Sequence, residues 1–440
     1  MNSFSSKIGV LLAAAGSAVG LGSIWKFPYT VGENGGGAFI ILYIVCSIIF
    51  GLPLVMNEFL IGKLSRKSAY GAYRTLGGTN RWQWLAWTTM LSVLLILSFY
   101  FVVTGWCIYY MVEAASNTFS GMDAAALTAY FKTFEGNAPT MILYAIIAII
   151  LTASVLWFDV NKGIERLSKI LMPILFIMLI VMAIHMVFMD GGTTGLHFLF
   201  HPDFSKITPH VILEAMGLSF FTLSIGLGIL ITYGGYMPQD QDVTSTSLQM
   251  IILVILVSLL AGTIVFPAVF AFGFSPTEGP QLTFVTLPEV FLQMFSPALT
   301  STAFFALMCV AAITSTISMM EVMVAFVCEA TSDTKRPLGR HQSVIVVSLI
   351  LVLANILCIL STTGNADWLT IMGHNLFDNA NTLVTNFLIP LGAFSTAVFT
   401  GWFVPKARYQ GRGAAIYLIL LRWIIPIAIF IVFLNSLNII

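Results

Sequence analysis

The chain is a succession of long apolar runs, and that succession leaves few folds open. A helix of about 20 apolar residues spans the hydrocarbon core of a bilayer. In that solvent every backbone N–H and C=O needs a partner within the protein, so runs of this length form a helical bundle. Eleven runs are read, at 9–30, 37–62, 85–113, 139–158, 167–189, 211–236, 244–273, 298–329, 341–361, 370–402 and 414–437. Only 9% of the residues are charged, where a soluble chain carries about 25%. The expected fold is an all-α integral membrane protein with 11 transmembrane helices.

Lysine and arginine in the connections set the orientation. Lys7, the five between 63 and 81, the three between 162 and 169, the three between 335 and 340 and the three between 406 and 412 fall on one side. Lys132 and Lys206 fall on the other. The N-terminus is therefore expected in the cytoplasm and the C-terminus outside or in the periplasm, in a multi-pass protein of the cell's inner (plasma) membrane. The first run starts within eight residues and has no small-residue cleavage site, so it reads as a span and not a removed leader. Net charge is zero, which gives no reason to expect nucleic acid. The five cysteines lie in apolar runs without a CxxC pair, so neither a disulfide framework nor a zinc site is indicated. No soluble domain interrupts the chain. The connections 114–138, 190–210 and 274–297 have room for short helices or a lid, and Pro238–Asp242 reads as an exposed, acidic helix stop.

The first run contains Gly16 to Pro28, GSAVGLGSIWKFP. Each glycine costs about 1 kcal/mol relative to alanine in a helix interior, and Pro28 removes a donor. Close helix packing on small residues would explain such a stretch by itself. A near copy in the sixth run favours another reading. Ala18-Val19-Gly20-Leu21-Gly22 and Ser224-Ile225-Gly226-Leu227-Gly228 differ only by Ala/Ser and Val/Ile. The two runs cross the membrane in opposite directions, at matching places in two five-run halves. This is the pattern of transporters built from inverted repeats, with two broken helices and a site at mid-membrane. The halves are read as 1–189 and 211–402, with 414–437 as an added eleventh helix.

A helix broken at Gly20–Gly22 presents N–H groups at one half and carbonyls at the other; the first suits a carboxylate, the second a cation. Two such breaks side by side hold a zwitterion without any side-chain charge. Hydroxyls are close by at Ser17, Ser23, Thr222 and Ser224. Thr314-Ser315-Thr316 adds oxygen, either as ligands for a hard cation or bonded back to its own helix. Charges within spans are costly. Lys26 and Asp378 are placed to pair across an outer vestibule. Glu58 reads as support for the open backbone of the first break, Glu321 and Glu329 as functional charges or satisfied buried carboxylates, and His185 as a packing residue.

The stretch SAVGLGSIWKFPYTVGENGGGAF (17–39) resembles the signature of the neurotransmitter:sodium symporter family, the leucine-transporter fold. So do Gly51-Leu52-Pro53-Leu54 with Glu58, Ser98-Phe99-Tyr100, Gly163-Ile164-Glu165-Arg166, Ser219 to Ser224, Ala311 to Ser315 and Phe377-Asp378. The resemblance runs through the whole chain, in order. It implies a transporter and not an enzyme, moving an amino acid inward with sodium by alternating access. It also implies a substrate carboxylate at the Gly20, Leu21 and Gly22 backbone and the Tyr100 hydroxyl, and an ammonium at carbonyls near Ala18 and Phe221 and at Ser224, with Ser17 and Thr222 in the same substrate-binding set. The implied side-chain pocket is Ile96, Tyr100, Phe221, Leu227, Ser315 and Met319, with room for a mid-sized to large apolar group. Tyr100 and Phe221 form the implied lid, and Lys26 and Asp378 the outer gate. One sodium would sit among Gly16, Val19, Ala311, Thr314 and Ser315.

The family's other sodium site is depleted. Its remaining residues are Ala18, Ser23 and Thr222, with Ser23 and Val254 standing where the family has amide or carboxylate oxygens. Coupling to one sodium is therefore expected. Ser258 stands where chloride-dependent members carry a serine, which leaves chloride use open. Phe4, Lys7 and Glu329 are the candidates for an inner gate. Two rival readings share the fold: an amino-acid sensor without net transport, and a proton-coupled carrier of amines or other zwitterions. No obligate protein partner is expected.

Overall fold

The computed structural model describes residues 3–189, 191–271, 273, 282–294, 296–364, 367–371, 373–405 and 413–436. Among the described residues nine helices are long and apolar enough to cross a membrane: Gly37–Ser65, Gln83–Ala115, Ala138–Leu156, Asn161–Val187, Val243–Ala271, Pro297–Thr331, Arg340–Thr362, Leu376–Phe403 and Ala414–Asn435. They are spans 2 to 5 and 7 to 11. Span 1 is the bent pair Lys7–Ala18 and Gly22–Glu33, with 51° between its halves. Span 6 is Pro209–Thr222 followed by Ile229–Tyr236. Each half of span 6 is too short to cross alone at 1.5 Å per residue.

Two boundaries differ from the sequence reading. Span 5 begins at Asn161 and not at 167. Span 10 begins at Leu376 and not at 370, because Asn375 caps it, accepting from the Asp378 N–H at 2.8 Å. An apolar run alone does not reveal a cap. The connections do carry short helices, at Ala124–Glu135, Gly192–Phe200 and Leu287–Leu292; residues 274–281 lie outside the described set. Pro238–Asp242 ends span 6, but Gln241 is buried, its amide donating to Thr246 Oγ1 at 2.6 Å.

Burial sorts the spans. The most apolar windows of spans 3 and 8 are 83% and 78% buried, against 33% in spans 4 and 5. Spans 3 and 8 therefore form the centre, and spans 4 and 5 turn side chains such as Ile150 and Ile177 outward. Lipid tails are as apolar as these side chains, so exposure there costs little. The two broken helices lie against this centre.

Candidate functional site

The two breaks form for different local reasons. In span 1 the helix ends when Val19 leaves the helical region, at φ −82°, ψ 71°. Glycine is required next for space. A Cβ on Gly20 would lie 2.2 Å from Ser315 Oγ and 2.6 Å from Tyr100 Oη, and one on Gly22 would lie 2.9 Å from the Phe221 ring. In span 6 the backbone conformation decides. Gly226 and Gly228 have φ of 83° and 68°, where L side chains are strained. Ser224 also adopts positive φ, 56°, and its hydroxyl donates across the site to the Ser17 carbonyl at 3.2 Å.

Around the break of span 1 the polar groups converge. Tyr100 Oη accepts from Leu21 N–H at 2.9 Å. Ser315 Oγ donates to the Ser17 and Gly16 carbonyls at 3.1 and 3.4 Å. Thr314 Oγ1 donates to the Ala311 carbonyl at 3.0 Å and packs beside Gly16. Spans 1 and 8 thus bring neutral oxygens of Gly16, Ala311, Thr314 and Ser315 into one buried cluster, a donor set that suits a hard monovalent cation. No cluster of three or more His, Cys, Asp or Glu side chains occurs among the described residues. Thr316, the third hydroxyl of the triplet, points elsewhere and bonds Thr152 at 2.9 Å. Ile96, Tyr100, Leu227, Ser315 and Met319 are all buried, with Phe221 at the edge of the same core.

The second oxygen set is poorer. The Ser23 hydroxyl donates to the Ala18 carbonyl at 3.1 Å. Thr222 Oγ1 is turned toward Tyr43 Oη, 2.9 Å away, and toward the Leu218 carbonyl at 3.0 Å. Val254 is wholly buried and offers no oxygen. Tyr43, which also lies 3.5 Å from Ser258 Oγ, has no signal in a sequence rich in aromatic residues.

These features have counterparts. The profile of the Sodium:neurotransmitter symporter family matches residues 1–128 and 134–438. The chain belongs to that family. An uncharacterised sodium-dependent transporter of Bacillus subtilis (strain 168), YhdH, is 37% identical over 99% of this chain and 98% of its own length. One of Haemophilus influenzae is 31% identical over 99% and 98%. The crystal structure of MhsT in complex with L-phenylalanine superposes with a TM-score of 0.90, at 36% identity, over 99% of this chain and all of MhsT. This symporter is thus a sodium-dependent, multi-pass membrane transporter for a small molecule, and not an enzyme.

In this symporter the charged residues take partners that differ from the sequence reading. Glu58 supports the break of span 6 and not that of span 1: its Oε1 accepts from Gly226 N–H at 2.6 Å. Lys26 and Asp378 do not pair. The Lys26 ammonium sits 4.4 Å over the Phe221 ring and faces Glu214, while Asp378 is exposed. Phe221 is thereby held between Gly22 and Lys26. Glu329 caps the short helix Ala69–Gly77, accepting from Ser68 N–H at 2.9 Å and Gly71 N–H at 3.0 Å. His185 lies on the outward face of span 5 and is not a packing residue.

The lysine- and arginine-rich face is shut by contacts the sequence only partly signalled. Phe4 is buried against Tyr233 and Tyr236, at ring separations of 5.6 and 6.3 Å. Glu165 accepts from Ser5 N–H at 2.6 Å, Ser6 Oγ at 2.7 Å and Lys169 Nζ at 2.7 Å, pinning the N-terminal segment. Glu321 takes both Arg340 guanidinium nitrogens, at 3.0 and 2.8 Å, and the Tyr236 hydroxyl at 2.8 Å. Arg340 also donates to the carbonyls of Leu156 and Phe158. Spans 4, 6, 8 and 9 therefore meet at one carboxylate. Lys7 pairs with Asp240 at 3.1 Å, an exposed bridge of the kind that contributes about 0–1 kcal/mol.

Proposed function

We propose that this symporter imports an amino acid with an apolar side chain, coupled to one sodium ion, by alternating access. The observation that carries the reading is the pair of neutral breaks held together by Ser224 and Ser315 on the Ser17 carbonyl. Gly20 supplies no carboxylate, so a substrate that brings its own fits there. Its carboxylate would meet the backbone at Gly20–Gly22 and the Tyr100 hydroxyl; its ammonium would meet the carbonyl ends at Ala18 and Phe221. The pocket from Ile96 to Met319 is apolar apart from Ser315 and Tyr100, and the complex of MhsT with L-phenylalanine supports a substrate of that kind. The co-transported sodium would sit among Gly16, Val19, Ala311, Thr314 and Ser315. The Ala18, Ser23 and Thr222 set, short of two oxygens, is read as too weak for a second ion.

The lysine and arginine bias of that face supports a cytoplasmic N-terminus, and Phe4, Glu165 and Glu321 would then close the inner path while the substrate loads from outside. The division at 1–189 and 211–402 is read as two inverted repeats, on the matching breaks at Gly20 and Gly226. Uptake of L-phenylalanine, leucine and the other amino acids into proteoliposomes under an inward sodium gradient tests the proposal. Accumulation that collapses with the gradient is expected; no accumulation of any amino acid, with binding retained, would favour a sensor. Drive by a proton gradient alone would favour the proton-coupled rival. A sodium titration of binding is expected to show a Hill slope near one, and Thr314→Ala to abolish sodium dependence.

A further inference from the structure

One sizeable cavity lies away from the breaks. It is a crevice of about 1020 Å³ where the ends of spans 2, 7 and 11 meet at the basic face. Met56, Leu60, Leu64 and Val243 form an apolar wall, and Lys63 and Arg66 stand at its mouth. Met56 lies seven residues before Lys63 on the same helix, so the wall runs about 10 Å into the membrane from the basic mouth. The wall residues are half-buried and Arg66 is exposed, so the crevice is open to its surroundings.

Neither basic group is used up. Lys63 Nζ donates to the Gln241 carbonyl at 2.5 Å, and the Arg66 guanidinium donates to the Met237 carbonyl. An ammonium has three donors and a guanidinium five, so each keeps donors for another acceptor. Two acids lie near the mouth: Asp240, which pairs with Lys7 at 3.1 Å and also faces Lys63, and Asp242. Asp242 accepts from Ser245 N–H at 2.9 Å and from Thr244 N–H at 3.3 Å, which caps span 7 and directs its charge at that helix end. The mouth is left with an excess of positive charge.

We propose that this crevice is a binding site for one anionic phospholipid, its phosphate at Lys63 and Arg66 and an acyl chain along Leu60 and Met56. Charge complementarity and depth both select this occupant. Basic side chains at a membrane border attract anionic headgroups. A soluble phosphate would leave the apolar wall wet, and a zwitterionic lipid would bring no net charge to the mouth. The two basic residues also hold the connection that follows span 6, so the lipid would sit on the element that carries the second break. The inference rests on the crevice and its charges and does not depend on which substrate is carried.

Native mass spectrometry of the full chain, stripped of lipid in a nonionic detergent, tests it by titration with phosphatidylglycerol and with phosphatidylcholine. One phosphatidylglycerol is expected to be retained at least about tenfold more tightly than phosphatidylcholine. Each basic side chain contributes about fivefold to anionic-lipid affinity, so Lys63→Gln with Arg66→Gln is expected to weaken it about thirtyfold. The same change at Lys162 and Arg166, on the same face beside span 5, is expected to leave it within about twofold. Leu60→Trp, which fills the wall and keeps both charges, is expected to weaken phosphatidylglycerol at least about tenfold. Elution profile and unfolding midpoint check that each variant is folded. Equal binding of the two lipids, or an unchanged affinity in Leu60→Trp, overturns the proposal. So does inorganic phosphate displacing the lipid at equal concentration, which would mean an anion site without the acyl chain.

Discussion

Replacing Glu58 probes how the second break is held. Glu58 lies on span 2, is wholly buried, and gives its Oε1 to Gly226 N–H at 2.6 Å. That N–H belongs to a residue at φ 83°, with no helix partner available. Glu58→Leu puts an apolar side chain of similar size in its place and orphans the donor. An unsatisfied buried donor costs about 1–3 kcal/mol. The break can recover it only by rearranging, and rearrangement moves the Phe221, Thr222 and Ser224 groups proposed to face the substrate. If binding must restore the native break, affinity falls by the same free energy, about fivefold to about 150-fold. Glu58→Gln keeps a carbonyl oxygen at the same reach, and exchanging one acceptor for another costs about 1 kcal/mol or less, so a loss of about fivefold or less is expected. Equilibrium binding of radiolabelled L-phenylalanine in saturating sodium measures both, with an unfolding midpoint as the control. Wild-type affinity in the leucine variant, or a glutamine variant no better than the leucine one, would refute the reasoning.

Further predictions concern the breaks, the shut face and ion binding. Gly226→Ala would strain the backbone and bring its Cβ to 2.6 Å from the Ile389 carbonyl; loss of substrate binding with retained helical circular dichroism is expected, and normal binding would show that the break tolerates a side chain. Tyr236→Phe removes one hydrogen bond to the Glu321 carboxylate, about 1.5–3 kcal/mol for a charged acceptor. A Ser318→Cys reporter, buried beneath Tyr233, is then expected to react with a membrane-impermeant thiol reagent from the basic face at least about tenfold faster; an unchanged rate would mean that Glu321 is no latch. Val254→Asn returns an amide oxygen to a fully buried position, and a sodium Hill slope rising above one is expected if the depleted site fails for lack of ligands.

Much of the architecture was legible because the bilayer leaves a chain little choice. The eleven spans follow from apolar length, and Gly20 with Gly226 marks both breaks. The cluster of Gly16, Ala311, Thr314 and Ser315 was also legible, through the resemblance of its motifs. What failed was pairing. Their expected level in the membrane pairs Lys26 with Asp378, yet in the fold Lys26 lies over the Phe221 ring and near Glu214. Glu58 reaches the break of span 6 and not that of span 1, since sequence shows that an open backbone needs an acceptor without showing which backbone an acceptor reaches. Glu329 is a charge near a span end in the sequence, and only the fold shows that it caps the helix at Ala69.

The sequence by itself determined the membrane class, the number and order of the helices, the positions of the two breaks and the absence of a side-chain charge at Gly20. Each is a property of one segment meeting a known solvent, and backbone satisfaction in lipid is a local demand. The tertiary structure alone decided which carboxylate serves which N–H, that Tyr43 partners the Thr222 hydroxyl, and that Glu321 joins Arg340 to Tyr236. It also decided that spans 2, 7 and 11 leave a crevice beneath two basic residues. Those outcomes depend on how helices distant in sequence rotate and approach, and side-chain partners within a few ångströms are chosen by that packing.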